Sequence, residues 1–170
     1  MTFLYKLRNN FMSVSFMLMI FFVSSCNVKE EQNFPFYQQT NENNCGPACL
    51  KMIFEYYGKI YSEKYLGEMT HVNSNGTTML ELSDASESLG FKPIGLKVDF
   101  LNLSKNVNLP CIAYWKSKHF VVVYRIENSK VYVADPGDTL KVYDKDEFCN
   151  LWEDPQYIGE KTGYILEINK

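Results

Sequence analysis

The spacing of apolar positions changes once along the chain, from helical to alternating. Cys49, Met52, Ile53, Tyr56 and Tyr57 recur at helical spacing, with Pro47 suited to the first turn and Gly58 to the stop, which predicts a helix with one buried face opening at about Cys45. A second, short helix is expected from Ser62, as cap, to Thr70. A third runs from Thr78 to Leu89, where Thr78 and Glu81 have capping-box spacing and Gly90 ends the run. Beyond it the pattern is that of strands, at Phe91 to Val98, Cys111 to Trp115, His119 to Ile126, Val131 to Ala134 and Gly163 to Ile168, with one late helix from Asp144 to Trp152. Helices first and strands afterwards predict an α+β fold, the N-terminal helices packed on an antiparallel β-sheet.

The first 25 residues stand apart. Lys6 and Arg8 precede a nearly unbroken apolar run, Phe11 to Val23, that is short for a bilayer-spanning helix and has the form of an export signal. Val23-Ser24-Ser25-Cys26 is similar to the lipobox of bacterial lipoproteins, which implies lipidation at Cys26 and an exported, membrane-anchored protein, on the periplasmic side or the cell surface. An ordinary signal peptide or an uncleaved anchor is the alternative. Residues 26–35 then read as a tether and 36–170 as one domain.

With 170 residues, 46% of them apolar, the chain has ample material for a core, and disordered or disulfide-knot classes do not fit. A net charge of -3 without a Lys/Arg cluster argues against nucleic-acid binding. Two histidines and no Cys-x-x-Cys leave too few ligands for a structural zinc, so no metal and no cofactor are expected.

The chemistry starts at Cys45. A thiol at a helix N-terminus meets unpaired backbone N–H groups and the positive end of the helix dipole, both of which favour the thiolate. A small buried cysteine is the bland reading, and it fits Cys49 and Cys111 better. Of the two histidines, His71 lies in the polar stretch His71-Val72-Asn73-Ser74-Asn75-Gly76, whereas His119 heads an apolar strand. The next strand, Val131 to Ala134, runs back to the same end and delivers Asp135, where a carboxylate would hold the imidazole in one tautomer.

These residues resemble the double-glycine leader peptidases, papain-like cysteine peptidase domains usually found at the N-terminus of bacteriocin-exporting ABC transporters. Gln39, six residues before Cys45-Gly46-Pro47-Ala48-Cys49-Leu50, is similar to the family's first motif; His119-Phe120-Val121-Val122-Val123 and Val131-Tyr132-Val133-Ala134-Asp135-Pro136 are similar to its second. The resemblance implies a papain-like fold and a cysteine endopeptidase that cuts leader peptides after Gly-Gly. Cys45 would be its nucleophile, His119 its base, Asp135 the orienting group and Gln39 a donor to the oxyanion. It also implies a peptide substrate and, as a partner, a separate ABC-type exporter, since no Walker motif follows here. The position before the nucleophile, often acidic in the family, is Asn44. A non-catalytic leader-binding module and a papain-like amidase or acyltransferase are the other readings, the former disfavoured by the presence of all four groups.

Parity constrains how His119 and Asp135 meet. A plain two-residue turn at Asn128-Ser129 throughout a regular hairpin would place their side chains on opposite faces. An odd-residue loop or a bulge is therefore expected, with the pair on the face toward Cys45.

Overall fold

The computed structural model describes residues 34–154 and 161–170; the signal and most of the tether lie outside the described residues. Five helices and six strands follow in the order α1 (Cys45–Tyr56), α2 (Glu63–Met69), α3 (Met79–Ser88), β1 (Lys92–Asp99), α4 (Phe100–Asn106), β2 (Cys111–Trp115), β3 (His119–Glu127), β4 (Lys130–Ala134), β5 (Leu140–Asp144), α5 (Lys145–Trp152) and β6 (Thr162–Asn169). The strands form one antiparallel sheet in the order β1-β6-β2-β3-β4-β5, and the fold is α+β. Among the described residues no helix is long and apolar enough to cross a membrane.

Both faces of the sheet are covered. On one, α1 to α3 pack against Ile112, Phe120, Val122, Ala134, Leu166 and Ile168. On the other, Leu103 of α4 and Phe148 and Trp152 of α5 cover Ala113, Val121, Val123, Val131, Val133 and Ile165. Leu50, Met52, Ile53 and Phe54 of α1 are wholly buried, and at about 1.5–3 kcal/mol for each large apolar side chain this helix is held firmly on the sheet. Packing on that face already includes Phe34, whose ring stacks on Tyr124 at 4.7 Å.

The caps follow from the local sequence. Ser62 accepts from Tyr65 N, and Thr78 with Glu81 closes a full capping box. Asn44 precedes α1 but makes no side-chain cap, so the first-turn N–H groups of that helix are left for other acceptors.

Two elements lie outside the sequence expectation. In α4, Asp99 caps Asn102 N at 2.7 Å and Leu103 is buried; the seven-residue helix is too short to show a period. In β5, Leu140 and Val142 are exposed, as suits an edge strand that buries little.

The hairpin of β3 and β4 resolves the parity question. Glu127 pairs with Lys130, so the turn is a two-residue one, and Asn128 and Ser129 both have positive φ, 51° and 62°, as a type I′ turn requires. The register shifts between Val123 and Arg125: Val123 pairs with Val133 and Arg125 with Tyr132, leaving Tyr124 as a bulge. From there to the strand end every pair is displaced by one, which puts Asp135 on the same face as His119.

Candidate active site

The sheet brings His119 and Asp135 together at one end. His119 opens β3, Asp135 follows the last residue of β4, and His119 Nε2 meets Asp135 Oδ1 at 2.6 Å. The same carboxylate oxygen accepts from Gly137 N at 2.9 Å, in the turn closed by Asp138 N to Asp135 O. Asp135 is buried, and these two donors on one oxygen fix it.

The face they occupy differs from the expectation. His119 pairs with Trp115, and their rings lie 6.1 Å apart on the face covered by α5, whereas Cys45 belongs to the cluster on the face covered by α1. Cys45 reaches the pair round the strand end, because it is the first residue of α1 and stands beside the start of β3. There the His119 side chain and the backbone of Phe120 and Gly46 are near enough to favour its thiolate. With Nε2 engaged by Asp135, Nδ1 is the ring nitrogen left for sulfur.

Burial opposes charge at all three groups, and hydrogen bonding overcomes it. For Cys45, desolvation raises the thiol pKa, but the His119 hydrogen bond and the backbone donors bring it below its ordinary value. For His119, burial works against the imidazolium, and the hydrogen bonds to Asp135 and Cys45 more than offset it, so that the pKa is pushed up to about 9. For Asp135, desolvation is likewise outweighed, by His119 and by Gly137 N, and the carboxyl lies below its ordinary value. All three shifts favour the same charged arrangement, a thiolate beside an imidazolium held by a carboxylate. Cys45 is 7% exposed, whereas Cys49 and Cys111 are at 0% and burial raises both thiols. All four cysteines in the described residues are free.

Gln39 is drawn to the same corner. Its backbone N donates to Pro136 O at 2.8 Å, tying it to the residue after Asp135, and its side-chain Nε2 donates to Asn41 O at 2.8 Å. A carbonyl can only accept, so this contact fixes which end of the amide is which. One Nε2 hydrogen is used and one remains.

Sequence reasoning passed over Glu63. This buried carboxylate, the first residue of α2, accepts on Oε1 from Thr40 N at 3.1 Å, Thr40 Oγ1 at 2.7 Å and Asn44 Nδ2 at 2.6 Å. Its sequence signal was ambiguous, because an acidic residue after a Ser cap is what any helix start shows. The same residues line one side of a groove of about 730 Å³ that extends to Gly67, His71 and Val72. His71 is exposed there. Among the described residues no cluster of His, Cys, Asp or Glu is arranged to hold a metal ion.

Comparison with known proteins follows the same outline. A profile of the peptidase C39 family matches residues 33–158. The chain is 27% identical over 148 residues to the colicin V secretion/processing ATP-binding protein CvaB of Escherichia coli, covering 86% of this chain and 20% of that protein. It is 31% identical over 121 residues to the pediocin PA-1 transport/processing ATP-binding protein PedD of Pediococcus acidilactici, covering 67% and 17%. The chain thus spans about a fifth of the length of these relatives. Among solved structures, the peptidase domain of Streptococcus ComA, a bifunctional ABC transporter, superposes with a TM-score of 0.70 at 26% identity, over 80% of this chain and 98% of that one. A double glycine motif protease from an AMS/PCAT transporter, in complex with the leader peptide, has the same fold, with a TM-score of 0.70 at 24% identity over 79% and 90% of the two chains.

Proposed function

Since the chain belongs to the peptidase C39 family, we propose that it is a cysteine endopeptidase that cleaves leader peptides after a Gly-Gly pair, with Cys45 as nucleophile, His119 as acid and base, Asp135 as the group that orients His119, and Gln39 as an oxyanion donor. The observation that supports this reading is the His119–Asp135 hydrogen bond at 2.6 Å with Cys45 beside it, each favouring the charged form of the next, so that the thiol pKa is lowered and the imidazole pKa raised.

In this reading the Cys45 thiolate attacks the scissile carbonyl carbon, and the carbonyl oxygen becomes an oxyanion that takes a hydrogen bond from the free Nε2 hydrogen of Gln39. His119 Nδ1 gives its proton to the leaving amine, the C–N bond breaks, and the acyl group remains on sulfur as a thioester. His119 then takes a proton from water as the water attacks the thioester, and Cys45 leaves as thiolate. Throughout, Asp135 holds Nε2–H, so the ring cannot turn its acidic nitrogen away. The Gln39 amide can stabilise the oxyanion without competing for the catalytic proton, and losing such a donor costs about 100- to 1000-fold in rate.

Double-glycine specificity is supported by the likeness to the double glycine motif protease in complex with the leader peptide, and processing by the secretion/processing and transport/processing proteins CvaB and PedD. A separate exporter that supplies or removes such peptides is the partner this reading calls for. The test is a peptide series with Gly-Gly, Gly-Ala and Ala-Ala at the cleavage position. Cleavage of the Gly-Gly peptide alone, abolished in Cys45→Ala and largely kept in Cys49→Ala, is the expected result. Equal cleavage of all three would replace the leader peptidase by a broader amidase, and an inert wild type that still binds the peptide would leave a binding module.

A further inference from the structure

The segment from Gln39 to Asn44 has no regular structure, yet it begins with one of the four groups assigned above and leads directly into another, Cys45. Its backbone is held at one end by Gln39 N on Pro136 O, and within itself by Asn43 N on Asn41 Oδ1 and Asn44 N on Asn41 O. Among the described residues, the three hydrogen bonds that reach from it to α2 all end on one atom, Glu63 Oε1. The donors belong to Thr40, next after Gln39, and to Asn44, next before Cys45. We propose that Glu63 is a positioning residue for the oxyanion site, its buried carboxylate holding both flanks of this segment so that the Gln39 amide and the start of α1 keep one spacing. The proposal rests on the cysteine-peptidase reading above.

A carboxylate with only 8% exposure loses its hydration, and here neutral donors replace it. Hydrogen bonds to an ionised acceptor are roughly twice as strong as those between neutral groups, which suits a single atom that must order a loop from two sides. The arrangement also decides the chemistry at position 44. An amide there donates to Glu63, whereas a carboxylate would stand against it at 2.6 Å. The groups that chiefly shift Cys45 and His119 are each other, Asp135 and the backbone of Phe120 and Gly46. Glu63 bonds the flanks of the segment and none of the catalytic groups, so its influence is on geometry, and the thiolate pair should be indifferent to it.

That separation defines the experiment. Glu63→Ala, Glu63→Gln, Asn44→Asp and the double variant Asn44→Asp with Glu63→Gln are compared with wild type in three measurements: kcat and KM on a Gly-Gly peptide, capture of a peptide aldehyde ending in glycinal, and the rate of Cys45 alkylation by iodoacetamide. The aldehyde adduct places an oxygen where the oxyanion forms, while alkylation needs only the thiolate. In Glu63→Ala, kcat and aldehyde affinity should both fall about 100-fold, the scale of a misplacement near 1 Å, with KM and the alkylation rate within about twofold of wild type. Glu63→Gln keeps an acceptor oxygen and should lose less. Asn44→Asp should lose as much as Glu63→Ala, and adding Glu63→Gln should restore most of it by reversing donor and acceptor. If Glu63→Ala does not fold, the Asn44→Asp pair carries the test. An alkylation rate that falls with kcat, a loss confined to KM, or a double variant no better than Asn44→Asp overturns the proposal, as does a wild type that captures no aldehyde. A wild type that captures the aldehyde but cleaves no peptide overturns only the proposed substrate, and the aldehyde series then decides the role of Glu63.

Discussion

Cys45 and His119 titrate as a pair, and the limits of their charged form set the range of pH over which the site works. His119 must carry its proton to serve the leaving amine. Its pKa of about 9 therefore sets the alkaline limit: activity falls as pH rises through that value. The acid limit belongs to the Cys45 thiol, which lies below its ordinary value and regains its proton as pH falls. Replacing Asp135 by Asn keeps an oxygen for His119 and Gly137 N but removes the negative charge that favours the imidazolium. The alkaline limb of kcat/KM in Asp135→Asn should then move to lower pH by roughly 1–3 units, the effect of one close charge. An unmoved limb would mean that another group sets it. At this scale the sequence was most legible, because Cys45, His119, Asp135 and Gln39 sit in short motifs whose residue types suit the chemistry. Glu63 was not legible in the same way. Its partners lie 19 and 23 positions away, and only the packing of α2 beside α1 brings them together.

The start of α1 depends on a close approach at the level of elements. A Cβ on Gly46 would lie 2.5 Å from Thr77 Cγ2 and 3.0 Å from Leu82 Cδ2, so the residue after the nucleophile is a glycine because the turn before α3 and α3 itself press against it. Gly46→Ala should cost about 1–3 kcal/mol of stability by overpacking. Thr77→Ser, which removes the offending methyl and keeps the hydroxyl bonds to Thr70 O and Glu81 Oε2, should recover part of that loss. Urea midpoints of the single and double variants measure both changes; equal midpoints for Gly46→Ala with and without Thr77→Ser would show that this contact is not the one that matters. Elements with strong local signals were readable for related reasons. Strands β2, β3 and β4, buried on both faces, read as short apolar runs, and α1 to α3 announce themselves by spacing and caps. Among the elements, α4 and β5 were not readable, since a seven-residue helix and an exposed edge strand bury too little to leave a pattern.

For the molecule as a whole, the sheet with helices on both faces explains why the site lies at a strand end, where α1 can reach past the sheet to a pair on the far face. The α+β class could be read from the order of elements, but the face of the pair could not, because it depends on how α1 crosses the sheet and not on alternation along β3. The export signal and the lipid anchor at Cys26 are proposals of the same scale. One acyl chain holds a protein only marginally at a membrane, so stable anchoring calls for more than one on Cys26. Metabolic labelling with palmitate should mark the wild type and not Cys26→Ser, which should also leave the membrane fraction; unlabelled, soluble wild-type protein would end the proposal.

The bulge at Tyr124 changes what a motif spacing measures. His119 and Asp135 are sixteen positions apart, but one of those positions, Tyr124, stands outside the paired register: Val123 opposite Val133 and Arg125 opposite Tyr132 are the pairs that a hairpin without it would also make. A chain lacking Tyr124 would count fifteen and could hold the same pair in the same place. Deleting Tyr124 should therefore leave most of the activity while lowering stability, since the stack on Phe34 is lost at about 0.5–1.5 kcal/mol beyond its buried area. Loss of the pair on this deletion would show that the bulge itself aims His119. If activity survives, a distant member of the family with a spacing of fifteen need not be a degenerate peptidase, and a sequence search that insists on sixteen would discard working enzymes for want of one tyrosine.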